Sequence, residues 1–218
     1  MKILKLTLFI FLICLVFATC KKDKGMPTVT DVDGNVYHTV KIGTQTWMVE
    51  NLKTTHYKDN TPVTLITDNN LWKNAIAPGY CWYDNDIANK TPYGALYNWY
   101  TVNTGKLAPQ GWHVPSAEEW QTLIAYLGGI TEAGGKLKEE GTMHWNSPNV
   151  GATNESKLSF VGSGLRRDSD GSFLNKGNYS MSRCSTNSSF VRISFDDFKV
   201  ITGAVPPEMG YSVRCIKD

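Results

Sequence analysis

The chain has 218 residues, with 22 Lys and Arg against 20 Asp and Glu, which gives a formal net charge of +2. This near-neutral balance does not support bulk attraction to nucleic acid or anionic lipid, so we expect no nucleic-acid partner. The length is enough for one sizeable hydrophobic core, and 19 Gly and 9 Pro indicate a loop-rich domain.

The first residues have the layout of a bacterial export signal. Two lysines precede an apolar run over residues 6–18, which is shorter than the roughly 20 apolar residues that a helix needs to cross a bilayer. The run ends at Val16-Phe17-Ala18-Thr19-Cys20, which resembles the lipobox of bacterial lipoproteins. We predict that residues 1–19 are a lipoprotein signal peptide and that Cys20 is lipidated. An ordinary signal peptide cut nearby, with Cys20 incidental, is the alternative.

A lipidated Cys20 determines where the mature protein acts. Two acyl chains attach a protein stably to a membrane, so we expect a lipid-anchored outer-membrane protein at the cell surface, although the residues after Cys20 do not decide which face it occupies. Removal of residues 1–19 leaves 20 basic and 20 acidic side chains. Residues 20–29 then form the lipidated cysteine and a polar spacer, and residues 30–218 form the domain.

The domain is expected to begin with a β-hairpin. Residues 36–42 alternate between apolar and polar side chains, Gly43-Thr44-Gln45 turns the chain, and Thr46-Trp47-Met48-Val49 continues as a second strand. We predict that Trp47 lies on the buried face.

Helical patterns follow in the middle of the chain. Thr91-Pro92 opens a first predicted helix, whose apolar residues recur at helical spacing up to Val102. Ser116-Ala117-Glu118-Glu119 is a capping box, so a second helix should follow until Gly128-Gly129. A short helical turn is predicted over residues 132–139, although two interior glycines cost about 1 kcal/mol each.

The last third of the chain alternates between loop and strand patterns. Residues 141–178 are mostly polar and glycine-punctuated, which predicts a long loop of a kind that is commonly functional. Residues 191–195 and 198–202 have the pattern of a hairpin, and residues 211–216 that of a terminal strand. We therefore predict an α+β domain with two main helices, short antiparallel sheets and paired terminal strands, which brings Cys215 near the start of the domain.

Several runs, taken in order, resemble one protein family. They are Asp33-Gly34-Asn35, Ile42-Gly43-x-Gln45-x-Trp47-Met48, Tyr80-Cys81-Trp82-Tyr83, Tyr93-Gly94-x-Leu96-Tyr97-Asn98-Trp99, Gly111-Trp112-His113-Val114-Pro115 and Gly210-Tyr211-Ser212-Val213-Arg214-Cys215. The chain is similar to the Fibrobacter succinogenes major paralogous domain family over nearly the whole mature sequence. The resemblance implies a domain of lipoproteins and secreted proteins, distantly similar to the C-type lectin-like fold that formylglycine-generating enzymes also adopt, with no established activity.

Removal of residues 1–19, which include Cys14, leaves three cysteines besides Cys20, namely Cys81, Cys184 and Cys215. An oxidising compartment permits one disulfide among them. The family usually carries a Cys-Pro where this chain has Ala108-Pro109, so the resemblance leaves the pairing open. We predict a Cys184–Cys215 disulfide, with Cys81–Cys215 as the alternative.

The sequence contains no motif of nucleophilic catalysis. A Ser or Cys nucleophile needs a nearby base and an orienting group, and the histidines of the chain stand in no such motif. They are His38, His56, His113 and His144. The paired cysteines that formylglycine-generating enzymes use near their C-terminus are not reproduced, so the resemblance of fold does not carry catalysis. We expect a protein that is not an enzyme.

Two groups of oxygen-bearing side chains are candidates for Ca²⁺ or ligand binding, since Ca²⁺ takes about 6 to 8 oxygen ligands. The groups are Asp84, Asn85 and Asp86, and Asn146, Asn149, Asn154 and Glu155. Neither group has the spacing of a known Ca²⁺ loop, and Asp and Asn in turns usually cap their own backbone. No cofactor is predicted, and Ca²⁺ is the metal that these groups would hold.

Aromatic rings among polar neighbours are a further binding signal, because a Trp face stacks on a sugar while amides and carboxylates hold its hydroxyls. Trp82 and Trp145 lie in such surroundings. The competing interpretation places both rings in the core, as regular patterns predict for Trp47, Trp99, Trp112 and Trp120.

The leading hypothesis is an envelope-anchored, non-catalytic, lectin-like recognition domain for an extracellular glycan or protein. Its candidate binding residues are Trp82, Asp84, Asn85, Asp86, Trp145, Asn146, Asn154 and Glu155. One alternative is an extracytoplasmic enzyme of the polysaccharide hydrolase type, with two carboxylates about 5 to 9 Å apart in a cleft. The other is a purely structural envelope protein without a pocket.

Overall fold

The structure begins with antiparallel strands that follow the predicted alternation. The computed structural model describes residues 25–218, so the predicted signal peptide and Cys20 lie outside the described residues. The strands are β1 Thr28–Thr30, β2 Val36–Ile42 and β3 Gln45–Met48. β2 turns into β3 through Gly43 and Thr44, and Trp47 is fully buried, which confirms the predicted hairpin.

The rest of the described chain alternates short helices with short strands. In chain order these are α1 Asn69–Lys73, β4 Tyr80–Cys81, α2 Lys90–Tyr93, β5 Leu96–Tyr97, α3 Trp99–Val102, β6 Trp112–His113, α4 Ala117–Tyr126, α5 Ala133–Leu137, β7 Ser163–Arg166, β8 Phe173–Lys176, β9 Tyr179–Arg183, β10 Ser189–Ser194, β11 Val200–Ala204 and β12 Ile216–Lys217. Short helices together with antiparallel sheets make an α+β arrangement, as predicted.

The sheet with most strands joins the two ends of the domain in the order β1-β2-β3-β12-β6. Ile216 lies opposite Trp47 on one side and His113 on the other, which confirms the predicted pairing of the terminal strands. The predicted terminal strand reduces to β12, because residues 210–212 form isolated bridges to three separate segments instead of one ladder. The Cys215 carbonyl accepts a hydrogen bond of 3.0 Å from β3, so this residue does lie near the start of the domain.

The first predicted helix is wrong, because residues 91–102 contain the end of α2, then β5 and α3. Gly94 interrupts the helix with φ +74°, and a Cβ here would lie 2.7 Å from the Asn51 side chain. Only glycine permits this combination of backbone angle and close approach. A new helix, α3, then follows Asn98, which caps it because Asn98 Oδ1 accepts from the backbone N–H of Thr101 at 3.1 Å.

The predicted capping box is present at the start of α4. Ser116 Oγ accepts from the backbone N–H of Glu119 at 3.2 Å, and Glu119 Oε2 accepts from the backbone N–H of Ser116 at 2.8 Å. These two bonds satisfy N–H groups that have no partner inside the helix. The apolar stripe of α4 is buried, so the second predicted helix is confirmed.

The short helix α5 lies inside the predicted turn of residues 132–139, and its two glycines allow close packing of backbones. A Cβ on Gly134 would lie 2.5 Å from the Phe198 carbonyl, and one on Gly135 would lie 2.3 Å from the Gly151 carbonyl. Close contact offsets the low helix propensity of glycine here.

The segment of residues 141–178 is more ordered than predicted. It contains β7 and β8, which pair as an antiparallel hairpin, so the prediction of one long loop is wrong over its second half. The strands escape the sequence pattern because β7 buries polar side chains, with Ser163 and Arg166 fully buried. The Asp170-Gly171 turn joins the two strands, and Asp170 Oδ1 accepts from a backbone N–H at 3.0 Å.

A separate sheet has the order β11-β10-β9. β10 and β11 are the predicted hairpin, with Val191 opposite Thr202. Val191 and Ile193 share an apolar cluster with Trp120 of α4, so the helix packs on one face of this sheet.

The three cysteines in the described residues lie in different apolar clusters. Cys215 packs in the cluster of Met48, Cys184 in that of Trp120, and Cys81 in a third. All three are free and buried, so the predicted Cys184–Cys215 disulfide is wrong and the Cys81–Cys215 alternative is also not formed. The reason is that the fold distributes the thiols over separate parts of the core.

Four cations of the described residues are buried without a carboxylate partner. They are Lys138, Arg166, Arg183 and Arg214, each with at most 1% of its surface exposed, and none takes part in the ion pairs found in residues 25–218. Lys138 Nζ donates to the carbonyls of Val150, Ser194 and Asp197 at 2.7 to 2.9 Å. One ammonium therefore joins the loop at Val150 to the end of β10 and the turn that follows it.

Arg166 has the same role for the loop before α1. Its guanidinium donates to the Thr67 carbonyl at 3.0 Å and to the Gly171 carbonyl at 2.9 Å. It also lies between the rings of Trp72 and Phe173, with its Cζ 4.5 and 4.8 Å from their centroids. Aromatic faces and carbonyl oxygens thus replace the carboxylate that a buried arginine usually has.

Candidate functional site

A groove of about 300 Å³ runs between α4 and the β10–β11 hairpin. One wall carries Ala117 and Gln121 from the first turns of α4, and the other carries Thr202 and Ala204 from β11. Cys184, which is 1% exposed, lies at the base. The lining mixes apolar groups with hydroxyl and amide groups, a composition typical of binding sites.

Local hydrogen bonds fasten α4 to the turn between β9 and β10 at one end of the groove. Thr186 Oγ1 accepts from the backbone N–H of Ala117 at 3.2 Å. The backbone N–H of Ser185 donates to the Pro115 carbonyl at 2.9 Å. These bonds hold the two walls at a fixed distance, so the groove is part of the folded structure.

The outer edge of β11 is not paired with another strand of the described residues. The backbone N–H of Val200 points away from β10 and donates to the Ile130 carbonyl at 2.8 Å. Because backbone groups alternate between the two sides of a strand, the N–H groups of Thr202 and Ala204 face the same outer side. Both residues are exposed, so a short free strand edge borders the groove.

The Cys184 thiol at the base of the groove is unreactive at neutral pH. Burial raises the pKa of Cys184 to about 11, so the side chain is a protonated thiol at neutral pH, whereas the thiolate is the reactive form. The residues that line the groove include no carboxylate, lysine or histidine. The groove therefore presents hydrogen-bonding groups and apolar surface to a ligand, and its lining contains no charged side chain.

Both aromatic residues that the sequence predicts as ligand contacts lie in the core. Trp145 is 2% exposed, and its indole N–H donates to the Phe160 carbonyl at 2.7 Å. Trp82 is 5% exposed and packs against Tyr80 with ring centroids 5.4 Å apart. The predicted role of both rings in stacking on a ligand is therefore wrong, because the polar neighbours in sequence belong to loops that fold over them.

The group at residues 84–86 forms a tight turn. Asp84 and Asn85 have left-handed φ angles of 54° and 55°. The Asn85 amide donates to the Thr67 carbonyl at 2.9 Å, and Asp86 Oδ1 accepts from the backbone N–H of Ala88 at 2.9 Å. Asn85 and Asp86 thus bond to backbone, as the competing interpretation expects, and Asp84 remains exposed.

The other predicted group is split between separate places. Asn146 borders a small polar pocket, whereas Glu155 lines a different cavity. Asn154 closes its own loop, since its Oδ1 accepts from a backbone N–H five residues further on at 2.9 Å. The structure therefore does not bring these three side chains into one site.

A Ca²⁺ site would need the predicted oxygen-bearing side chains to converge on one point. Within residues 25–218, no group of three His, Cys, Asp or Glu side chains converges to hold a metal ion. The side chains at residues 84–86 and at residues 146–155 also do not share one donor set. Ca²⁺ binding stays a prediction from the sequence.

The hydrolase alternative requires two carboxylates in a cleft. Glu132 and Glu155 line a cavity of about 260 Å³ together with Lys136. The Lys136 Nζ lies 3.7 Å from Glu155 Oε2, so one of the two carboxylates is already paired. The hydrolase alternative stays a hypothesis.

Sequence reasoning missed the groove although it predicted both walls. The α4 helix and the β10–β11 hairpin follow from local patterns, but their placement side by side depends on contacts such as that of Thr186 with Ala117. The buried cations were also missed. A signal exists for Arg214, which stands between Val213 and Cys215, because a charged residue inside an apolar run indicates a buried ion. Lys138 has charged neighbours and gives no such signal.

The fold and the groove define a loop-rich α+β domain with a preformed groove between α4 and β11. The Fibrobacter succinogenes major domain family model matches residues 40–217, and the chain belongs to this family. Neither the curated proteins nor the solved structures include a match to the chain. Across residues 25–218, every helix is too short or too polar to cross a bilayer.

Proposed function

We propose that this protein is an outer-membrane lipoprotein at the cell surface whose domain recognises an extracellular polypeptide without catalysis. The signal-like residues 1–19 and the position of Cys20 support the lipid anchor. A C-type lectin-like organisation is part of the proposal, and the pairing of β12 with β3 and β6, which closes the domain at both ends, supports it.

The free edge of β11 beside the groove is the observation that carries the choice of ligand. Thr202 and Ala204 are two residues apart along the strand, so their outward N–H and C=O groups repeat about every 6.6 Å. An extended polypeptide has main-chain groups at the same repeat, and a saccharide does not. The ligand would add as a strand to β11, with its side chains entering the space between β11 and α4.

The surroundings of β11 limit the added strand to a short segment. The N–H of Val200 is already bonded to Ile130, and Pro206 and Pro207 follow the strand. Proline lacks the N–H that a continued ladder would need. A short edge of this kind resists indiscriminate pairing between copies and still leaves several main-chain groups for a ligand.

Thr202→Pro tests the edge directly. The substitution removes an outward N–H that does not bond to β10, so the fold should persist, and Thr202→Val is the matched control that keeps the N–H. We expect peptides selected from a random library on the purified protein to lose at least about tenfold in affinity for T202P. T202V should bind them as the parent protein does.

The outcomes separate the classes of ligand. Failure to select any peptide, or equal affinity for T202P and the parent protein, would exclude strand addition. A glycan array probed with the same protein would in that case identify a saccharide ligand. Circular dichroism of both variants checks that the fold is intact.

A further inference from the structure

We propose that a second site, a polar pocket beside Lys176, binds a saccharide unit that carries a carboxylate. The pocket is lined by Tyr93, His144, Asn146, Lys176 and Gly177, among others, and none of these residues borders the groove of the proposed function. The inference therefore goes beyond that function and does not depend on it.

The pocket is small and open to solvent. It lies where the end of α2 meets the loop before β7 and the residues after β8, and its volume is about 130 Å³. Sites for drug-sized ligands have roughly 300 to 1,000 Å³. This pocket therefore accommodates one sugar ring, or part of one, at the end or side of a longer chain.

Lys176 supplies an uncompensated positive charge. Its Nζ lies 5.0 Å from the Tyr83 ring centroid and 5.7 Å from that of Tyr93, and its hydrogen-bond acceptor is the neutral amide of Asn89, at 3.4 Å. It takes part in none of the ion pairs found in residues 25–218, and no carboxylate lines the pocket. An ammonium that rests on aromatic rings without a counter-ion is suited to an external carboxylate.

His144 supplies a fixed polar edge. Its Nδ1 lies 2.8 Å from Glu139 Oε2, so the ring orientation is set by a residue outside the lining of the pocket. Nε2 has no hydrogen-bond partner among the described residues. With Nδ1 donating to the carboxylate, Nε2 can accept from a sugar hydroxyl in the neutral ring or donate to one in the protonated ring.

Tyr93 and Asn146 complete the chemistry of a sugar site. Tyr93 is only half-buried, and the His144 ring stands at 85° to it with centroids 5.5 Å apart, so the two rings form a corner. Aromatic surfaces of this kind stack on sugar rings. The Asn146 amide donates to Asn178 Oδ1 at 2.7 Å, and within the described residues its own Oδ1 accepts no hydrogen bond, so it can accept from a hydroxyl.

The combination favours an acidic sugar over other anions. One cation matches one carboxylate, the aromatic corner matches a ring, and the amide matches hydroxyl groups. A phosphate site usually has several converging N–H donors or an arginine, whereas the charged donor in this lining is a single lysine.

Titration of the purified full-length protein with a galacturonic-acid trisaccharide tests the proposal. The matched neutral ligand is a galactose trisaccharide with the same linkage, and acetate is the simple anion. We expect the acidic trisaccharide to bind at least about tenfold more tightly than the neutral one, with an affinity that falls as salt is added.

Lys176→Gln should abolish the preference for the acidic trisaccharide. Lys73→Gln is the matched control, because Lys73 is an exposed lysine of α1 that does not line the pocket, and it should leave the preference unchanged. Tyr93→Leu should weaken the binding of both trisaccharides, because it removes the stacking surface and keeps the charge.

Any one of several results would overturn the proposal. They are equal affinity for the acidic and neutral trisaccharides, acetate that binds as tightly as the acidic trisaccharide, and K176Q that binds like K73Q. A complete lack of saccharide binding would do the same. The T202P variant should bind the acidic trisaccharide normally, so failure of this proposal and failure of the groove proposal are distinguishable.

Discussion

The region around α4 and the loop region of residues 138–160 maintain their structure by different means. α4 buries an apolar stripe and satisfies its first N–H groups with the Ser116 cap. In the loop region a buried cation replaces regular partners, since Arg214 donates to the carbonyls of Leu158 and Ser159. The comparison shows that one cation with several donors can order a segment that lacks a ladder of its own.

The two regions differ in how much of their stability depends on a single residue. A helix shares its backbone bonds among many residues, so each contributes a small part. Arg214 also donates to Asn51 Oδ1 at 3.0 Å and lies 3.7 Å above the Phe160 ring centroid. Burial lowers the pKa of its guanidinium to about 9, which reflects the cost of holding the charge away from water.

Arg214→Ala is expected to have the largest effect. It leaves buried carbonyls without donors and opens a cavity over Phe160, so we expect the free energy of unfolding to fall by about 4 kcal/mol. Arg214→Met fills the cavity without restoring the donors and should still cost about 2 kcal/mol. Urea unfolding of the purified protein measures both losses.

Arg167→Ala is the matched control for Arg214. Arg167 lies next to a buried arginine in sequence but forms only a surface pair with Asp170 at 3.1 Å, so its loss should change stability by less than about 0.5 kcal/mol. If R214M were as stable as the parent protein, packing alone would order the loop region and the comparison with α4 would fail.

Ser116→Ala measures how much a single residue contributes to the stability of α4. The variant removes the oxygen that accepts from the Glu119 N–H, and loss of such a cap costs about 1 kcal/mol. Ser169→Ala, at an exposed serine, should change little. A loss for S116A as large as that for R214A in the same urea measurement would show that both regions depend on single residues to the same degree.

The smallest effect should come from His113, which joins the start of α4 to the end of the described chain. Its Nε2 lies 2.8 Å from Glu119 Oε1 and its Nδ1 lies 2.6 Å from Asp218 Oδ1. Burial lowers the pKa of His113, but the hydrogen bonds to Asp218 and Glu119 outweigh this and raise it above the ordinary 6.5. The folded state therefore binds this proton more tightly than the unfolded state.

The sign of the pH dependence follows from that difference. The stabilisation is fully present below the ordinary pKa and is lost as pH rises through the raised pKa of the folded state. The side chain is 42% exposed, so the effect is screened and small. His113→Gln should lower the urea midpoint at about pH 5.5 and have less effect at about pH 8.5. An equal loss at both pH values would contradict the assignment.

The fold was predictable wherever short-range signals act. The hairpin at Gly43, the capping box at Ser116 and the β10–β11 hairpin are all confirmed, because turns, caps and alternation depend on residues a few positions apart. The helix predicted over residues 91–102 was wrong because a contact between residues far apart in the sequence interrupts it. Its apolar spacing reflects burial, whereas Gly94 fits a close contact with Asn51, which no local pattern reveals.

The candidate site was much less predictable. Polar surroundings in sequence placed Trp82 and Trp145 at the surface, and the structure buries both. The groove that replaces them is formed by α4 and β11, which are separated by more than 70 residues in the chain.

The β2–β3 hairpin, helix α4, the β10–β11 hairpin and the family were predicted correctly from the sequence, since each depends on the order and spacing of residues along the chain. Only the tertiary structure decided which polar groups are buried and which surfaces lie side by side. The physical reason is that burial and pairing are set by contacts between distant residues. Arg214 illustrates this, because its side chain donates to a carbonyl 56 positions away.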